Sequence, residues 1–230
     1  MDKWLSHCQG RVRAKTHDGY RGLIRLYATP ALGPLPLGDP RPLHLQELYG
    51  DCLDRGLSGG TVLNLHLVLT QALGQAVRWG LIPHNPAKGA QPPRPRRPER
   101  AVVDPALAGR ILEAVRSTHL ELPVAVALAT GMRRGEILAL RWGDLDPDHS
   151  RAHVRRSLQT AGGRLVFEEP KTRRSRRAVD LPGFLRPYLV RQQEAQALRR
   201  AEATSWHDLG LVVDRGDGGP CNPDTMSSAW

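Results

Sequence analysis

The segment from residue 91 to residue 100 places the strongest constraint on the fold. It reads QPPRPRRPER, with four prolines and four arginines in ten residues. Proline fixes φ and has no backbone N–H to donate, so this segment cannot form a helix interior or a central strand. Its composition predicts an extended, stiff and basic linker. Since 230 residues suffice for two small domains, we expect one domain over residues 1–90 and another over residues 101–230.

The first of these domains is predicted to be all helical. Between Thr61 and Trp79, apolar residues recur at three- and four-residue spacing, as they do on one face of a helix. Ser58 or Thr61 can cap the start of this helix, and its end is expected near Gly80. Weaker helical patterns cover residues 16–27 and 44–55, and the Pro- and Gly-rich stretch from 30 to 42 between them is predicted to be a loop.

The second domain is predicted to be α+β, with a small antiparallel sheet. Asp104-Pro105 suits a helix start, with Asp as the N-cap and Pro at the first helical position. The predicted helices cover 105–117, 122–129, 134–142 and 187–203. The predicted strands cover 152–158, 164–167, 177–181 and 211–213, and Gly162-Gly163 predicts a hairpin turn between the first two. The whole chain is therefore expected to be mostly α.

The charge of the chain indicates a polyanionic partner. Lys and Arg total 33 against 23 Asp and Glu, for a net charge of +10 and a pI near 10.3. The three cysteines are far apart in the sequence, so we expect neither a disulfide framework nor a zinc site. No apolar run is long enough to span a bilayer and the N-terminus lacks a signal-peptide core, so a cytoplasmic location is expected.

The first motif that could carry chemistry is TGMRRGEILALRWGDLD, residues 130–146. It places Arg133 and Arg134 at a sharp, glycine-flanked bend between two predicted helices. Such a bend can bring backbone donors and a guanidinium to one point, which suits an anion. Glu136 follows Arg133 by three residues and could orient it. The alternative interpretation is an ordinary helix–helix corner with solvated arginines.

The second motif is EPKTRRSRRAVDLP, residues 169–182, a basic turn between two predicted strands. Lys171 comes directly after Pro170, which gives it a more fixed place than the arginines that follow. Those arginines are Arg173, Arg174, Arg176 and Arg177. The alternative interpretation is a solvated basic hairpin that touches a phosphate backbone.

The two motifs, in this order and at this spacing, resemble the catalytic domain of the tyrosine recombinases. The family pattern is T-G-x-R-x-x-E, then L-x-W-x-D-[IL]-D, then a β-hairpin that ends in P-K-T. The stretch TVLNLHLVLTQALGQAVRWGLIPHNPAKGAQPPRP is similar to the SAM-like core-binding domain of phage integrases. The resemblance thus implies a DNA-binding core-binding domain over 1–90, a linker over 91–100 and part of a catalytic domain over 101–230.

The resemblance also implies a mechanism, site-specific recombination of double-stranded DNA through a phosphotyrosyl intermediate that needs no metal, nucleotide or other cofactor. Arg133 would bind the scissile phosphate and Lys171 would protonate the departing 5′ oxygen, while Glu136 would orient the arginines without reacting. The remaining arginines are expected to contact the DNA backbone: Arg134, Arg173, Arg174, Arg176, Arg177, and Arg94, Arg96 and Arg97 of the linker. Self-association as a recombinase tetramer on DNA, in association with the bacterial nucleoid, is also implied.

The family's later boxes, H-x-x-R and a tyrosine nucleophile, are not found after Lys171 in the 230 residues. The tyrosines are Tyr20, Tyr27, Tyr49 and Tyr188, and none lies in the place of the nucleophile. We therefore expect a C-terminally incomplete catalytic domain from a mobile element, which binds DNA and does not cleave it alone. Two alternatives stay open: a non-catalytic DNA-binding remnant or competitor of a full-length integrase, and a helix-turn-helix regulator, against which the predicted hairpin argues.

Overall fold

A computed structural model of the chain describes residues 1–95, 102–169 and 176–228, with the side chains described up to residue 226. The chain divides into two compact units, residues 1–100 and residues 101–230. The division falls at the end of the Pro/Arg-rich segment. No helix in the described ranges is both long and apolar enough to cross a bilayer.

Unit 1 is helical. Its helices are α1 (Asp2–Cys8), α2 (Ala14–Leu23), α3 (Thr29–Leu32), α4 (Pro42–Asp54) and α5 (Gly59–Arg78). A π-helical turn over Ile24–Ala28 joins α2 to α3, and a 3-10 turn covers Pro86–Gly89. Ser58 caps α5 as predicted, since its hydroxyl accepts the backbone N–H of Thr61 at 3.2 Å. Helix α1 was not predicted, and the expected loop from residue 30 to 42 begins inside α3.

Helix α5 is the centre of unit 1 because it is buried on two sides. Leu65 and Leu69 are fully buried in a cluster with Leu45 of α4, while Val68 packs in a second cluster with Trp4 of α1. Two hydrogen bonds hold the C-terminal end of unit 1 against α4. The amide of the Gln46 side chain accepts from the backbone N–H of Gln91 and donates to its carbonyl, both at 3.0 Å.

Unit 2 combines helices with short strands. The helices are α6 (Pro105–Ala114), α7 (Glu121–Thr130), α8 (Arg134–Leu138), α9 (Arg186–Glu202) and α10 (Pro223–Ser228). The strands are β1 (Arg151–Val154), β2 (Ser157–Ala161), β3 (Arg164–Glu168) and β4 (Arg177–Asp180). Asp104 caps α6 as predicted, accepting the backbone N–H of Leu107 at 2.7 Å. The mostly helical fold, with an all-α part followed by an α+β part, is confirmed.

The strands pair in two antiparallel ribbons within the described part of the chain. The predicted hairpin is present as β2 paired with β3, with Leu158 opposite Phe167. Strand β1 pairs instead with β4, with Ala152 opposite Val179. The single strand expected over residues 152–158 is therefore wrong, because the chain leaves one ribbon at Arg155-Arg156 and enters the other.

Helix α8 is shorter than the helix expected over residues 134–142. After Leu138 the chain runs beside residues 210–212: the Trp142 N–H donates to Gly210 and the Val212 N–H donates to Leu140. These bonds compete with helix continuation, and they leave Leu211 in an isolated bridge to Arg141 where a strand was expected. The core of the unit forms around this crossing, from Ile137, Leu138 and Val212 with residues of α7 and α9.

Candidate active site and nucleic-acid interface

The corner between α7 and α8 presents Arg133 to solvent. Gly131 ends α7 in the left-handed conformation at φ +64°, which glycine adopts without steric cost. The Thr130 hydroxyl donates to the carbonyl of Val126 at 2.6 Å and accepts the N–H of Met132 at 3.2 Å. The Met132 side chain is buried. The next residue, Arg133, therefore points outward, and 75% of its side chain is exposed.

The buried carboxylate of Glu136 fixes the position of Arg133 from the protein interior. Its Oε2 accepts the backbone N–H of Arg133 at 2.9 Å, and its Oε1 accepts from Nη1 of the same arginine at 3.0 Å. Arg177 of β4 reaches the same carboxylate with both terminal nitrogens, at 3.2 and 2.9 Å. Only 6% of Glu136 is exposed. One carboxylate thus joins the start of α8 to a strand 41 residues later in the chain.

The ionisation of Glu136 follows from these contacts. Burial raises the pKa of Glu136, but the hydrogen bonds from Arg177 and from the backbone and side chain of Arg133 lower it by more. The pKa of Glu136 therefore lies below its ordinary value, and the group is a carboxylate at neutral pH. The same bonds raise the pKa of Arg177. A permanent anion between two permanent cations suits positioning and not proton transfer.

Gly135 brings the start of α8 directly onto β2. A Cβ at this position would lie 2.5 Å from Oγ of Ser157 and 2.7 Å from the carbonyl oxygen of Leu158. No side chain fits at those distances without movement of the strand backbone. Close packing thus explains why residue 135 is a glycine. It fixes the positions of Arg133 and Glu136 relative to the β2–β3 hairpin.

A second buried carboxylate, Asp144, lies eight residues further along the chain. Its exposed fraction is 3%. It accepts the backbone N–H of Arg141 at 3.1 Å and Nη1 of Arg156 at 2.9 Å, and Nη1 of Arg155 lies 3.6 Å away. The guanidinium of Arg141 itself lies over the ring of Phe167, at 5.8 Å from the ring centre.

An open groove of about 580 Å³ runs along these strands. The described arginines that line it are Arg141, Arg155, Arg156, Arg176 and Arg177. Glu168 and Glu169 contribute carboxylates to the same lining, and Glu169 forms an ion pair with Arg176. The groove is thus bordered by Arg177, whose guanidinium contacts Glu136, and by Arg155 and Arg156, whose guanidinium groups contact Asp144.

The predicted site residues are only partly in the described part of the chain. Arg133 and Glu136 are in contact, as expected. Arg134 is exposed and lies 3.6 Å from Asp224, and Arg176 and Arg94 are also exposed. Arg177, which was expected to contact the DNA backbone, has both of its terminal nitrogens on Glu136. Five predicted residues lie outside the described residues: Lys171, Arg173, Arg174, Arg96 and Arg97.

Sequence reasoning missed the Asp144 cluster. A signal was present, because R-W-G-D over residues 141–144 repeats the spacing of R-R-G-E over residues 133–136, an arginine followed by an acidic residue three positions later. The two adjacent arginines, Arg155 and Arg156, were assigned to the middle of a strand. Their place between two strands of different ribbons could not be read from the alternation of side chains.

Comparison with known proteins gives the same family from the sequence. The model of the phage integrase N-terminal SAM-like domain matches residues 1–51. An integrase of Saccharopolyspora erythraea is 25% identical over 290 aligned positions, which cover the whole of this chain and 66% of that protein. A XerC-like tyrosine recombinase of Caldanaerobacter subterraneus is 27% identical, over 89% of this chain and 57% of that protein. The chain thus spans 66% or less of the length of these relatives.

Solved structures match the fold over nearly the whole chain. The Tn1549 transposon integrase in complex with a circular intermediate DNA matches with a TM-score of 0.79 and 21% identity, over 96% of this chain and 72% of that chain. A lambda integrase tetramer bound to a Holliday junction matches with a TM-score of 0.70 and 17% identity, over 99% of this chain and 60% of that chain. At these identities the structures show a shared fold. The matching domain model and the curated relatives support the tyrosine recombinase (phage integrase) family for this chain, and the solved structures agree with it in fold.

Proposed function

We propose that this chain acts in site-specific DNA recombination or integration, as the part of a tyrosine recombinase that binds duplex DNA and contacts the scissile phosphate with its first arginine. One observation carries the proposal. Arg133 is fixed through its backbone and one terminal nitrogen by the buried Glu136, and yet 75% of its side chain stays exposed. An exposed and permanently charged guanidinium in a fixed position suits a non-bridging phosphate oxygen.

The chemistry assigned to each residue follows from its charge state. Arginine keeps its proton at any physiological pH, so Arg133 stabilises negative charge in the transition state and does not donate a proton. Glu136 acts through Arg133 and is a positioning residue. Lys171 is proposed as the general acid on the strength of the resemblance, and its position lies outside the described residues. A lysine among arginines can lose a proton more readily than one in water.

The wider DNA contact is proposed to involve the exposed arginines. Arg94, Arg134 and Arg176 are exposed in the described residues and carry charge toward solvent. We propose that they contact phosphates of the DNA backbone, together with the predicted arginines outside the described ranges. Assembly as a tetramer on recombining DNA is a further proposal, supported by the tetramer reported for lambda integrase.

We also propose that the 230-residue polypeptide, taken alone, does not join itself to DNA. Strand cleavage in this family needs a tyrosine nucleophile that follows the H-x-x-R box. The residues after Lys171 contain only Tyr188, which belongs to α9 and packs against the core of unit 2. Binding and covalent attachment are therefore separable in this polypeptide, and each can be measured.

The first test is DNA binding as a function of salt. Fluorescence anisotropy of a labelled duplex should show the logarithm of the affinity falling linearly with the logarithm of the salt concentration. Arg133→Ala should weaken binding and lower this slope by about 1, the share of one phosphate contact. Arg116→Ala is the matched control, because Arg116 is an exposed arginine of unit 2 that pairs with Glu113. An unchanged slope in Arg133→Ala would contradict the phosphate contact.

The second test asks whether a covalent bond forms. The chain is incubated with nicked duplexes that carry the element's own recombination site, and the products are separated under denaturing conditions. We expect no protein–DNA adduct. An adduct that disappears in Tyr188→Phe would contradict the assignment of Tyr188 to the core, and any other adduct would contradict the proposed lack of a nucleophile.

A further inference from the structure

We propose that the arginine-lined groove bordered by β1, β3 and β4 binds a second phosphate of the DNA backbone, next to the one contacted by Arg133. The inference rests on the proposed function, since it assumes that the chain binds duplex DNA. The ligand is a phosphodiester, and the residues that would contact it are Arg155, Arg156 and Arg141. None of these follows from the family motif that identifies Arg133.

The position of Arg155 and Arg156 supports this site. They are the two residues between β1 and β2, where the chain passes from one ribbon to the other. Asp144 contacts both from the protein interior, at 3.6 Å from Arg155 and 2.9 Å from Arg156. The exposed fraction of the side chain is 57% for Arg155 and 24% for Arg156. One carboxylate thus holds two guanidinium groups, and each keeps a side that faces the groove.

Arg141 supplies the third cation. Its side chain lines the groove, and its guanidinium lies 5.8 Å from the ring centre of Phe167. Its Nε atom is buried and has no hydrogen-bond partner among the described residues. A charged donor group without an acceptor costs free energy. The described residues therefore leave one donor of this guanidinium without an acceptor.

The charges of the groove favour an anion. Among the described lining residues, five arginines stand against the carboxylates of Glu168 and Glu169, while Glu136 and Asp144 pair with lining arginines from behind. His153 also lines the groove, and it is paired with Asp146 at 3.1 Å. The lining thus contains more guanidinium groups than carboxylates, and a phosphodiester carries a negative charge. Small-molecule pockets are mostly apolar, whereas this lining is mostly charged.

The place of the groove favours DNA over a free phosphate as the source of that anion. Glu169 and Arg176 both line it, and they flank residues 170–175, which contain Lys171. Arg177 borders the same groove and contacts the Glu136 that positions Arg133. A duplex that places its scissile phosphate at Arg133 would therefore present neighbouring phosphates to the groove.

The test compares salt dependence in groove variants and in a matched control. Arg155→Ala and Arg156→Ala should each lower the salt slope of duplex binding by about 1. A rise in salt from about 50 to about 200 mM should then weaken each variant roughly three- to fourfold less than the wild type. Arg164→Ala should keep the wild-type slope, because Arg164 is an exposed arginine at the hairpin tip that does not line the groove. Arg155→Gln and Arg156→Gln repeat the test if an alanine variant unfolds.

A second measurement separates the two sources of phosphate. Inorganic phosphate is titrated into the wild type and into the double variant Arg155→Gln/Arg156→Gln while the melting temperature is followed. We expect equal small shifts in both proteins. A shift confined to the wild type, with unchanged salt slopes in the single variants, would overturn the DNA assignment in favour of a free-phosphate site.

The measured salt slopes distinguish the second phosphate site from the proposed function. If Arg133→Ala lowers the salt slope and the Arg155 and Arg156 variants do not, the second phosphate site is wrong and the proposed function stands. If the wild type does not bind duplex DNA at all, the proposed function fails and the inference fails with it. Lower slopes in the groove variants and in Arg133→Ala support both.

Discussion

Glu136 and Asp144 are two buried carboxylates of unit 2 with the same local design. Each accepts the backbone N–H of an arginine three residues earlier, Arg133 at 2.9 Å and Arg141 at 3.1 Å. Each also accepts from an arginine of the strand region, Arg177 for Glu136 and Arg156 for Asp144, where the shortest distance is 2.9 Å in both. The two sites differ in the contact made by the guanidinium of that preceding arginine, Arg133 or Arg141.

At the first site, the guanidinium of Arg133 contacts the carboxylate of Glu136. Nη1 of Arg133 lies 3.0 Å from Oε1 of Glu136, and most of the side chain remains exposed. At Asp144 the guanidinium of Arg141 turns away and lies over Phe167. Arg155 and Arg156 face Asp144 instead, and Arg155 is the more exposed of the two.

The difference shows that the spacing of arginine and acid determines the backbone contact, while tertiary packing determines which guanidinium is presented to solvent. Arg133 begins a helix that Gly135 holds against β2, so its side chain has open solvent above it. Arg141 lies where the chain runs beside residues 210–212 and next to Phe167. Substitutions at the two carboxylates and at the glycines beside them test this contrast.

The largest expected effect is the loss of a carboxylate. Glu136→Ala should lower the free energy of unfolding by about 2–3 kcal/mol, because Arg133 and Arg177 lose their shared partner. The loss stays below the ~3–5 kcal/mol for a fully buried pair since both arginines keep access to water. Urea unfolding measures it.

Two variants serve as references for Glu136→Ala. In Glu113→Ala an exposed ion pair with Arg116 is lost, and the change should be within about 0.5 kcal/mol. Asp144→Ala should cost about as much as Glu136→Ala, since both carboxylates are buried and each is contacted by two arginine side chains. A clearly smaller cost at Asp144 would break the comparison and show that its arginines are solvated without it.

Gly135 and Gly143, which directly precede the two carboxylates, should differ in their response to substitution by alanine. Gly135→Ala should destabilise the protein by about 1–2 kcal/mol, because its Cβ would lie 2.7 Å or less from Ser157 and Leu158 of β2. Gly143 is the equivalent glycine before Asp144; a Cβ there would meet none of the described atoms within 4 Å, and its φ lies outside the left-handed region. Gly143→Ala should change the stability by at most ~0.5 kcal/mol. Thermal unfolding of both variants measures the difference. Equal losses of stability would show that the close contact of Gly135 with β2 is not the cause.

The sequence predicted the parts of this arrangement that depend on local signals. The caps at Ser58 and Asp104, helix α5 and the β2–β3 hairpin have short-range signatures, and the structure confirms them. The contact of Arg133 with Glu136 could also be expected, since the two residues are three positions apart at a helix start. These elements need only nearby residues for their stability.

The contacts that cross the chain could not be predicted in the same way. The bond from Arg177 to Glu136 spans 41 residues, and the β1–β4 pairing brings together residues that are 23 to 29 positions apart. Helix α8 ends at Leu138 because residues 210–212 compete for its backbone groups, although its own sequence favours further turns. Periodicity carries no information about which distant segment supplies such a partner, and this is why the Asp144 cluster was missed.

The smallest expected effect is the pH dependence that Glu136 contributes. Its pKa in the folded protein lies below the ordinary value because the hydrogen bonds from Arg177 and Arg133 outweigh the effect of burial. A depressed folded pKa means that the unfolded chain binds the proton first as the pH falls. The stability from Glu136 is therefore complete above its unfolded pKa of ~4.3, and is lost as the pH falls through the lower folded pKa.

Glu136→Gln removes this titration while it keeps the shape of the side chain. Between neutral pH and the acid range, the free energy of unfolding should fall more steeply in the wild type than in Glu136→Gln, so the two curves approach each other below about pH 4. Asp148 and Asp217, whose pKa values are also lowered, are present in both proteins and cancel in the difference. Parallel curves for Glu136→Gln would mean that Arg133 and Arg177 stabilise the neutral acid as well as the anion, and that Glu136 positions them by shape more than by charge.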